Sequence, residues 1–551
     1  MREIFNKIKE KKKIIIEIII LILIGLFSFS VAPKTLQNDT YYTVSIGNLI
    51  MENGIDMKDH FSWHEDLPYT YPHWLYDVIM GKIYNLDGWS AIYISVCVVS
   101  VLLGISIYLV NKKLNKNQII SFIIAIGSMF LLKDYIAARA QLATFLIYIW
   151  VIYFIEKFIE NPKKIGYAIG IILSSILIAN LHVAVWPFLF IISLPYIGEY
   201  LIYLLADMVL YQKISILKNK ISLKIHKKDA NKVEKINQKL EEIYLTNEKR
   251  KEKRESEKPY KITMKLNKNV KWLILVMAIC SLTGFLTPLG TTPYTYLIKT
   301  MQGNTTQNIN EHLPLTLINN IPIMCTIVIM LTFLIFTKVK IKLADLFMVG
   351  GLTYLMFASR RQSTMFVLFG GIILNKMAVD AVKIYGIEKS KYFIEQIVGI
   401  GGVAVASLAV IYGVKFINNK KDDVYVSSRT YPVEAANWIL ENLDVDNIKL
   451  YNEYNYGSYL LYRGIPVFID SRADLYAPEF NGEQDIFMDF ITTSNIGKYY
   501  GNTFKEYGIT HIILYKNAKV AMLIDNTEPE KYNKIYSDDY FVIYEVEDSL
   551  E

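Results

Sequence analysis

The chain has 551 residues, enough by length for three or four soluble domains. Hydrophobic residues make up 53% and charged residues only 20%, with a mean hydropathy of +0.27. A soluble domain is nearer to about 45–50% apolar and about 25% charged, so a soluble cytoplasmic enzyme and a disordered chain are both excluded. Three cysteines, Cys97, Cys280 and Cys325, exclude a disulfide scaffold and are expected as buried thiols.

A crossing helix needs about 20 mostly apolar residues. Eleven runs are read as spans: 14–32, 89–110, 118–132, 142–158, 165–181, 187–210, 271–288, 317–337, 343–358, 364–380 and 395–415. The first is too long for a cleaved signal, and no small-residue cleavage pattern follows it. Arg2, Lys7, Lys9, Lys11, Lys12 and Lys13 place the N-terminus in the cytoplasm. Eleven crossings then put the basic segments 111–117, 161–164, 212–270, 338–342 and 383–391 inside. They put the long first loop 33–88 and the tail outside, which an even count would not do at both ends. The expected fold is a polytopic α-helical membrane protein of about eleven spans over residues 1–421, in the plasma membrane.

The loop 212–270 holds eighteen Lys/Arg against eight Asp/Glu. No aromatic residues interleave with its Glu248–Glu255 charge run, so it reads as a solvated helix or disorder at the lipid headgroups, with no nucleic-acid role. The tail 422–551 is acidic, ten basic residues against twenty-three. A helical pattern from Tyr431 to Leu443 and strand-like runs at 448–451, 466–470, 511–515 and 540–544 predict a small extracytoplasmic α/β domain.

Polar groups in or beside a membrane are costly and tend to face a cavity or partner. Here they gather at the outer helix ends. Asp39 lies just past the first span, where a carboxylate can take a proton from an acceptor or cap the next helix. The second outer loop offers Asp134 and Arg139, the third edge His182, the fourth loop the stretch 291–299 with Glu311 and His312, and the fifth Arg360 and Arg361. Paired outer arginines oppose the positive-inside rule. A bound phosphate or pyrophosphate would offset them, as would an ion pair to Asp39, Asp134 or Glu311. Trp63, Trp74 and Trp89 with Tyr71 and Tyr76 read as an interfacial aromatic belt. No metal motif is present by spacing, and a divalent cation, Mg or Mn, between Asp39 and Asp134 stays open.

In the tail, Asn452-Glu453-Tyr454-Asn455-Tyr456-Gly457 precedes Pro466–Tyr476, where Asp470, Arg472 and Asp474 alternate as on one face of a strand. A structural ion pair and acceptor binding are both open for them. Together with Asp39 after the first span, Arg139-Ala140-Gln141 and Asn180-Leu181-His182, this block resembles the GT-C superfamily of polyprenyl-phosphate-sugar-dependent membrane glycosyltransferases, in an uncharacterised bacterial branch. It is distantly similar to the Trp-Trp-Asp-Tyr-Gly region of oligosaccharyltransferase catalytic subunits, of which Tyr456-Gly457 remains. An Arg-Pro-Gln element lacks its proline here.

The resemblance implies transfer of a hexose or pentose from a polyprenyl-phosphate donor to an envelope polysaccharide, lipid or protein at the outer face. It implies Asp39 as catalytic base and Arg360, Arg361 and Arg139 on the donor phosphate. Asp134, His182, Glu311, His312, Tyr456, Asp470 and Arg472 would then bind substrate. A transporter or flippase of lipid-linked precursors, for which Glu17 would be the intramembrane acid, and a non-catalytic scaffold are the rival readings.

Overall fold

The computed structural model describes residues 2–206, 209–227, 229–256, 261–264, 266–386, 400–419, 421–482 and 484–547. Long Ile/Leu/Phe runs leave a helix as the way to satisfy every backbone group away from water. The N-terminal half holds α1 (Arg2–Val31), α2 (Asn38–Asn53), α3 (Trp74–Asn115), α4 (Gln118–Leu132), α5 (Ala140–Glu160) and α6 (Ile165–Leu181). Six helices are long and apolar enough to cross a membrane, and five more apolar helices run 10–17 residues. Each of the eleven apolar runs falls on one of these. Residues 395–399 of the last run, and 387–391 of the preceding basic segment, lie outside the described residues.

α3 is interrupted at Asp87 and Gly88, the latter with φ 58°, which separates its first three turns from its long apolar part. α2 packs closely along those first turns. A Cβ on Gly47 would lie 2.0 Å from the carbonyl oxygen of Asp77, so only glycine lets the two backbones approach this far. This contact fixes the direction of α2 and hence of Asp39 at its start. α1 and α3 are joined lower down by Ser100 Oγ donating to the Ser28 carbonyl at 2.6 Å, a small-residue contact usual between membrane helices.

At one end of the bundle, Val209–Ile225 and Ala230–Ser256 form a helical hairpin, the second helix containing the Glu248–Glu255 charge run. It ends on β1 (Ile262–Thr263), which pairs in parallel with β2 (Ile341–Lys342). Glu17 faces this end. It is fully engaged, taking Lys112 Nζ at 2.6 Å, Gln118 Nε2 at 2.8 Å and Tyr108 OH at 3.0 Å. Of the cysteines, Cys97 and Cys280 are buried, but Cys325 is exposed on the apolar surface of Ile321–Phe336, a correction to the expectation.

The tail covers the other end. β3 (Leu450–Tyr451), β4 (His511–Tyr515), β5 (Tyr532–Ser537) and β6 (Phe541–Val546) form one sheet in the order β3-β4-β6-β5. β3 and β4 are parallel and the remaining pairs antiparallel. The run 466–470 is no strand; it makes a single bridge, Val467 to Ser62 of the first loop. Gly457 lies in the helix Tyr454–Tyr462, where a Cβ would meet the Ile469 carbonyl at 2.0 Å.

The aromatic belt is likewise corrected. Trp63 Nε1 donates to the Leu450 carbonyl, Trp74 Nε1 to Asn180 Oδ1, and Trp89 packs on Tyr41 and Tyr462. These rings hold the first loop to the tail and to the bundle.

Candidate active site

Asp39 sits in the first turn of α2, where the positive end of the helix favours a carboxylate. Gln37 is the N-cap residue, and the Asp39 carboxylate turns instead to Arg139, the residue that opens α5. Arg139 Nε lies 2.9 Å from Asp39 Oδ2, and its Nη1 lies 2.7 Å from Glu311 Oε1. The segment bearing Glu311 is bonded along its backbone to the arginine pair: Arg361 N–H donates to the Glu311 carbonyl and Arg360 N–H to that of Leu313. From the other side Tyr135 OH donates to the Arg360 carbonyl at 3.1 Å.

The Arg360–Arg361 turn is thus clamped by two loops while its guanidinium groups stay unengaged. Neither forms an ion pair among the described residues, and Arg360 Nε is buried without a partner. A π-helical turn, Phe366–Gly370, follows directly, a distortion common at functional positions.

His182 closes α6 and meets His73, which opens α3, edge to face at 4.9 Å between ring centres. The Val183 N–H donates to the Pro72 carbonyl and ties the two segments together. Asn180 braces the same corner, donating to the Leu286 carbonyl and accepting from Trp74. Burial, then the Arg361 and Arg139 charges, pull His73 down to about 3. Burial, His73 and Arg361 hold His182 well below its ordinary value. Both rings are therefore neutral at pH 7, each with one N–H to donate. His182 Nδ1 is buried without a partner.

His312 is drawn down to about 4 by burial and by Arg361. Burial raises the Glu311 carboxyl, but Arg139 and Arg361 outweigh it and leave it below the usual range. The tail adds Asp474, which accepts from Tyr296 OH and from Thr305 Oγ1, and which burial pushes up.

Asp39, Arg139, Glu311, His312, His182, Arg360 and Arg361 are therefore brought to one place. The other expected residues are not. The Asp134 side chain is 77% exposed and bonded to Lys133. Tyr456 OH donates to the Ile513 carbonyl inside the tail core. Asp470 and Arg472 are not on a strand: Arg472 is enclosed between Asp470, with Nη2 to Oδ2 at 2.6 Å, and Asp59 of the first loop. The structural ion pair accounts for both residues. His73 lies outside the sequence expectation, although a histidine between Pro72 and Trp74, in a stretch otherwise aromatic, was an available signal. Tyr296 falls in the outer-loop stretch 291–299 without having been singled out there.

The donor set does not fit a divalent cation. The Arg139 guanidinium lies between the Asp39 and Glu311 carboxylates, Asp134 is tied elsewhere, and among the described residues no three His, Cys, Asp or Glu side chains are arranged so as to hold an ion. At the opposite end of α5, about 25 Å away by helix rise, Glu156, Asp345, Lys342 and Lys376 line a separate cavity of about 110 Å³.

No family model and no curated protein sequence matches the chain. Among solved structures, a similar fold is that of the archaeal oligosaccharyltransferase AglB from Archaeoglobus fulgidus, in complex with an inhibitory peptide and a dolichol-phosphate. The TM-score is 0.54 at 12% identity, over 92% of this chain and 69% of that one. The likeness is one of fold.

Proposed function

We propose that the chain is an inverting membrane glycosyltransferase that moves a sugar from a polyprenyl-phosphate donor to a cell-envelope acceptor at the outer face. In this reading the N-terminus is cytoplasmic, eleven helices cross the plasma membrane, and the tail 422–551 roofs the site. The observation that carries the reading is the unengaged Arg360–Arg361 pair, set beside the unpartnered His182 Nδ1 and facing the Asp39–Arg139–Glu311 cluster. Buried donors without acceptors are costly, and a phosphate supplies several acceptor oxygens at once. Three guanidinium groups stand against the carboxylates of Asp39 and Glu311, and Asp474, which burial pushes up, lies near Arg361. The AglB-like fold supports the same class.

The chemistry follows. The acceptor O–H or N–H approaches Asp39 Oδ1, since Oδ2 is held by Arg139. The acceptor attacks the anomeric carbon from the face opposite the phosphate, the C–O bond to phosphate breaks, and polyprenyl phosphate leaves with the electron pair. Asp39 takes the acceptor proton. Arg360, Arg361 and the neutral His73–His182 pair stabilise the departing charge, so the leaving group needs no separate acid.

The test uses the full chain in lipid nanodiscs with a panel of polyprenyl-phosphate sugars, wild type beside Asp39→Asn, with and without chelator. Turnover that Asp39→Asn abolishes is the expected result. No turnover with any donor returns the transporter or scaffold reading. Turnover that survives Asp39→Asn keeps the class and discards this base.

A further inference from the structure

We infer that Arg139 is the resident cation of this site, standing where a divalent ion would otherwise bridge Asp39 and Glu311, so that the transfer runs without a metal. The turnover part of the inference rests on the function proposed above; its binding part does not.

The geometry is that of a bridging cation. Two carboxylates from segments far apart in sequence, α2 and the 303–316 loop, converge on one guanidinium. Nη1 donates to Glu311 Oε1 at 2.7 Å, while Nε lies 2.9 Å from Asp39 Oδ2 as an ion pair without hydrogen-bond alignment, so one planar guanidinium spans both carboxylates where a lysine would reach only one. The group is held from behind. Arg139 has extended backbone at the start of α5, its N–H donates to the Ala137 carbonyl at 2.8 Å, and its carbonyl accepts from Leu142 at 3.0 Å. Its side chain is only 23% exposed, so water does not screen the pairs as it would at a surface.

A magnesium or manganese ion would need oxygens at about 2.0–2.2 Å and near-octahedral geometry. The space between Asp39 and Glu311 is already filled by a cation, and a second, doubly charged one would be repelled from it. Among the described residues no third side chain completes a metal-holding group with Asp39 and Glu311. His73 and His182 face each other and Arg361, and the Asp134 carboxylate is bonded to Lys133.

The arrangement also gives Arg139 a second task. It orients the Asp39 carboxylate and, through Glu311, fastens the loop that carries Arg360 and Arg361 by their backbone N–H groups. Arg139 is therefore a positioning residue here rather than a ligand of the donor phosphate, the role that the motif resemblance implies.

The test again uses the full chain in nanodiscs. Wild type stripped with EDTA should turn over at the same rate before and after Mg²⁺ or Mn²⁺ is returned. Arg139→Ala should fall roughly a hundredfold, the scale of a lost acid–base arrangement, and regain part of the rate with added guanidinium but none with Mg²⁺. Arg139→Lys should lie between the two. Independently of any donor, Mn²⁺ titrated into wild type and followed by electron paramagnetic resonance should show no bound ion that Asp39→Asn or Glu311→Gln removes. A wild-type rate lost to EDTA and restored by metal overturns the inference, as does an Mn²⁺ site that those two variants abolish. Should Arg139→Ala fail to fold, the wild-type chelation and Mn²⁺ arms decide alone. Absence of turnover with every donor strikes the proposed function and leaves the Mn²⁺ result to judge Arg139.

Discussion

Replacing Arg472 by methionine should destabilise the union of the first loop with the tail by about 3–5 kcal/mol at neutral pH, the cost of stranding buried carboxylates. The magnitude follows from what remains. Asp59 and Asp470 both have fully enclosed side chains, and the arginine between them is 2% exposed. Asp59 keeps the Ser62 N–H at 2.9 Å and Ser62 Oγ at 2.6 Å, and Asp470 keeps Tyr476 OH at 2.6 Å. These bonds soften the loss but do not neutralise two charges. Methionine fills much of the volume against Phe61 and Tyr69, so packing contributes little.

The pH response has a definite sign. Burial raises Asp59, but Arg472 and the Ser62 bonds outweigh it and hold the carboxyl below its ordinary value of about 3.9. In wild type the pair therefore stabilises above that ordinary value and loses its contribution as pH falls through the lower folded one. In Arg472→Met the carboxylates are buried and unpaired, so protonation relieves them and acid stabilises. Pulse proteolysis of the full chain in nanodiscs, reading release of the tail at pH 7 and pH 5, measures both. A variant within about 1 kcal/mol of wild type at pH 7, or one that weakens on acidification, would refute the reasoning. Adding Asp59→Asn and Asp470→Asn should recover most of the loss.

Three other outcomes follow from the same geometry. Asp39→Asn should cut turnover by roughly 10²–10⁴ while leaving donor binding intact, as measured by rate and by competition with polyprenyl phosphate. Arg361→Ala should lose a charge-assisted contact of about 1.5–3 kcal/mol, seen as a roughly ten- to hundredfold rise in donor KM, with Arg361→Lys in between. Gly457→Ala puts a methyl group where the Ile469 carbonyl stands, and the tail should unfold earlier by about 1–3 kcal/mol or more in a thermal melt, with the membrane helices intact.

The apolar runs were legible because each records one local requirement, a backbone that satisfies itself away from water. Asp39 and the Arg360–Arg361 pair were legible for the opposite reason, as charges where charge is expensive. Their convergence was not. Asp39, Arg139, Glu311 and Arg361 belong to four separate segments, and only the packing of α2 against α3 and the backbone bonds of the 309–313 segment bring them together. Arg139 shows the limit well: its outer-loop position and the motif resemblance marked it as a candidate, but its partners decide whether it meets phosphate or carboxylate. The tryptophans failed for a related reason. Trp63 and Trp74 have the flanking positions of an interfacial belt, yet a nitrogen that finds Leu450 or Asn180 is a tertiary fact. Asp470 and Arg472 read as a strand face because alternation mimics one. Their true partner, Asp59, lies in the first loop, some four hundred residues earlier in the chain.

The main-chain bonds beneath Arg360 and Arg361 have a kinetic consequence. Lifting the 309–313 segment would break both of them together with the Glu311–Arg139 contact. Arg360, Arg361 and the Glu311 side of the Arg139 bridge to Asp39 thus move as one piece. On the proposed function, a spent lipid phosphate cannot loosen its grip without also disturbing Asp39, and the next acceptor cannot be primed until that piece has settled again. Turnover in such an arrangement is paced by letting go, and burst kinetics, a fast first transfer followed by slower cycles, would be its signature.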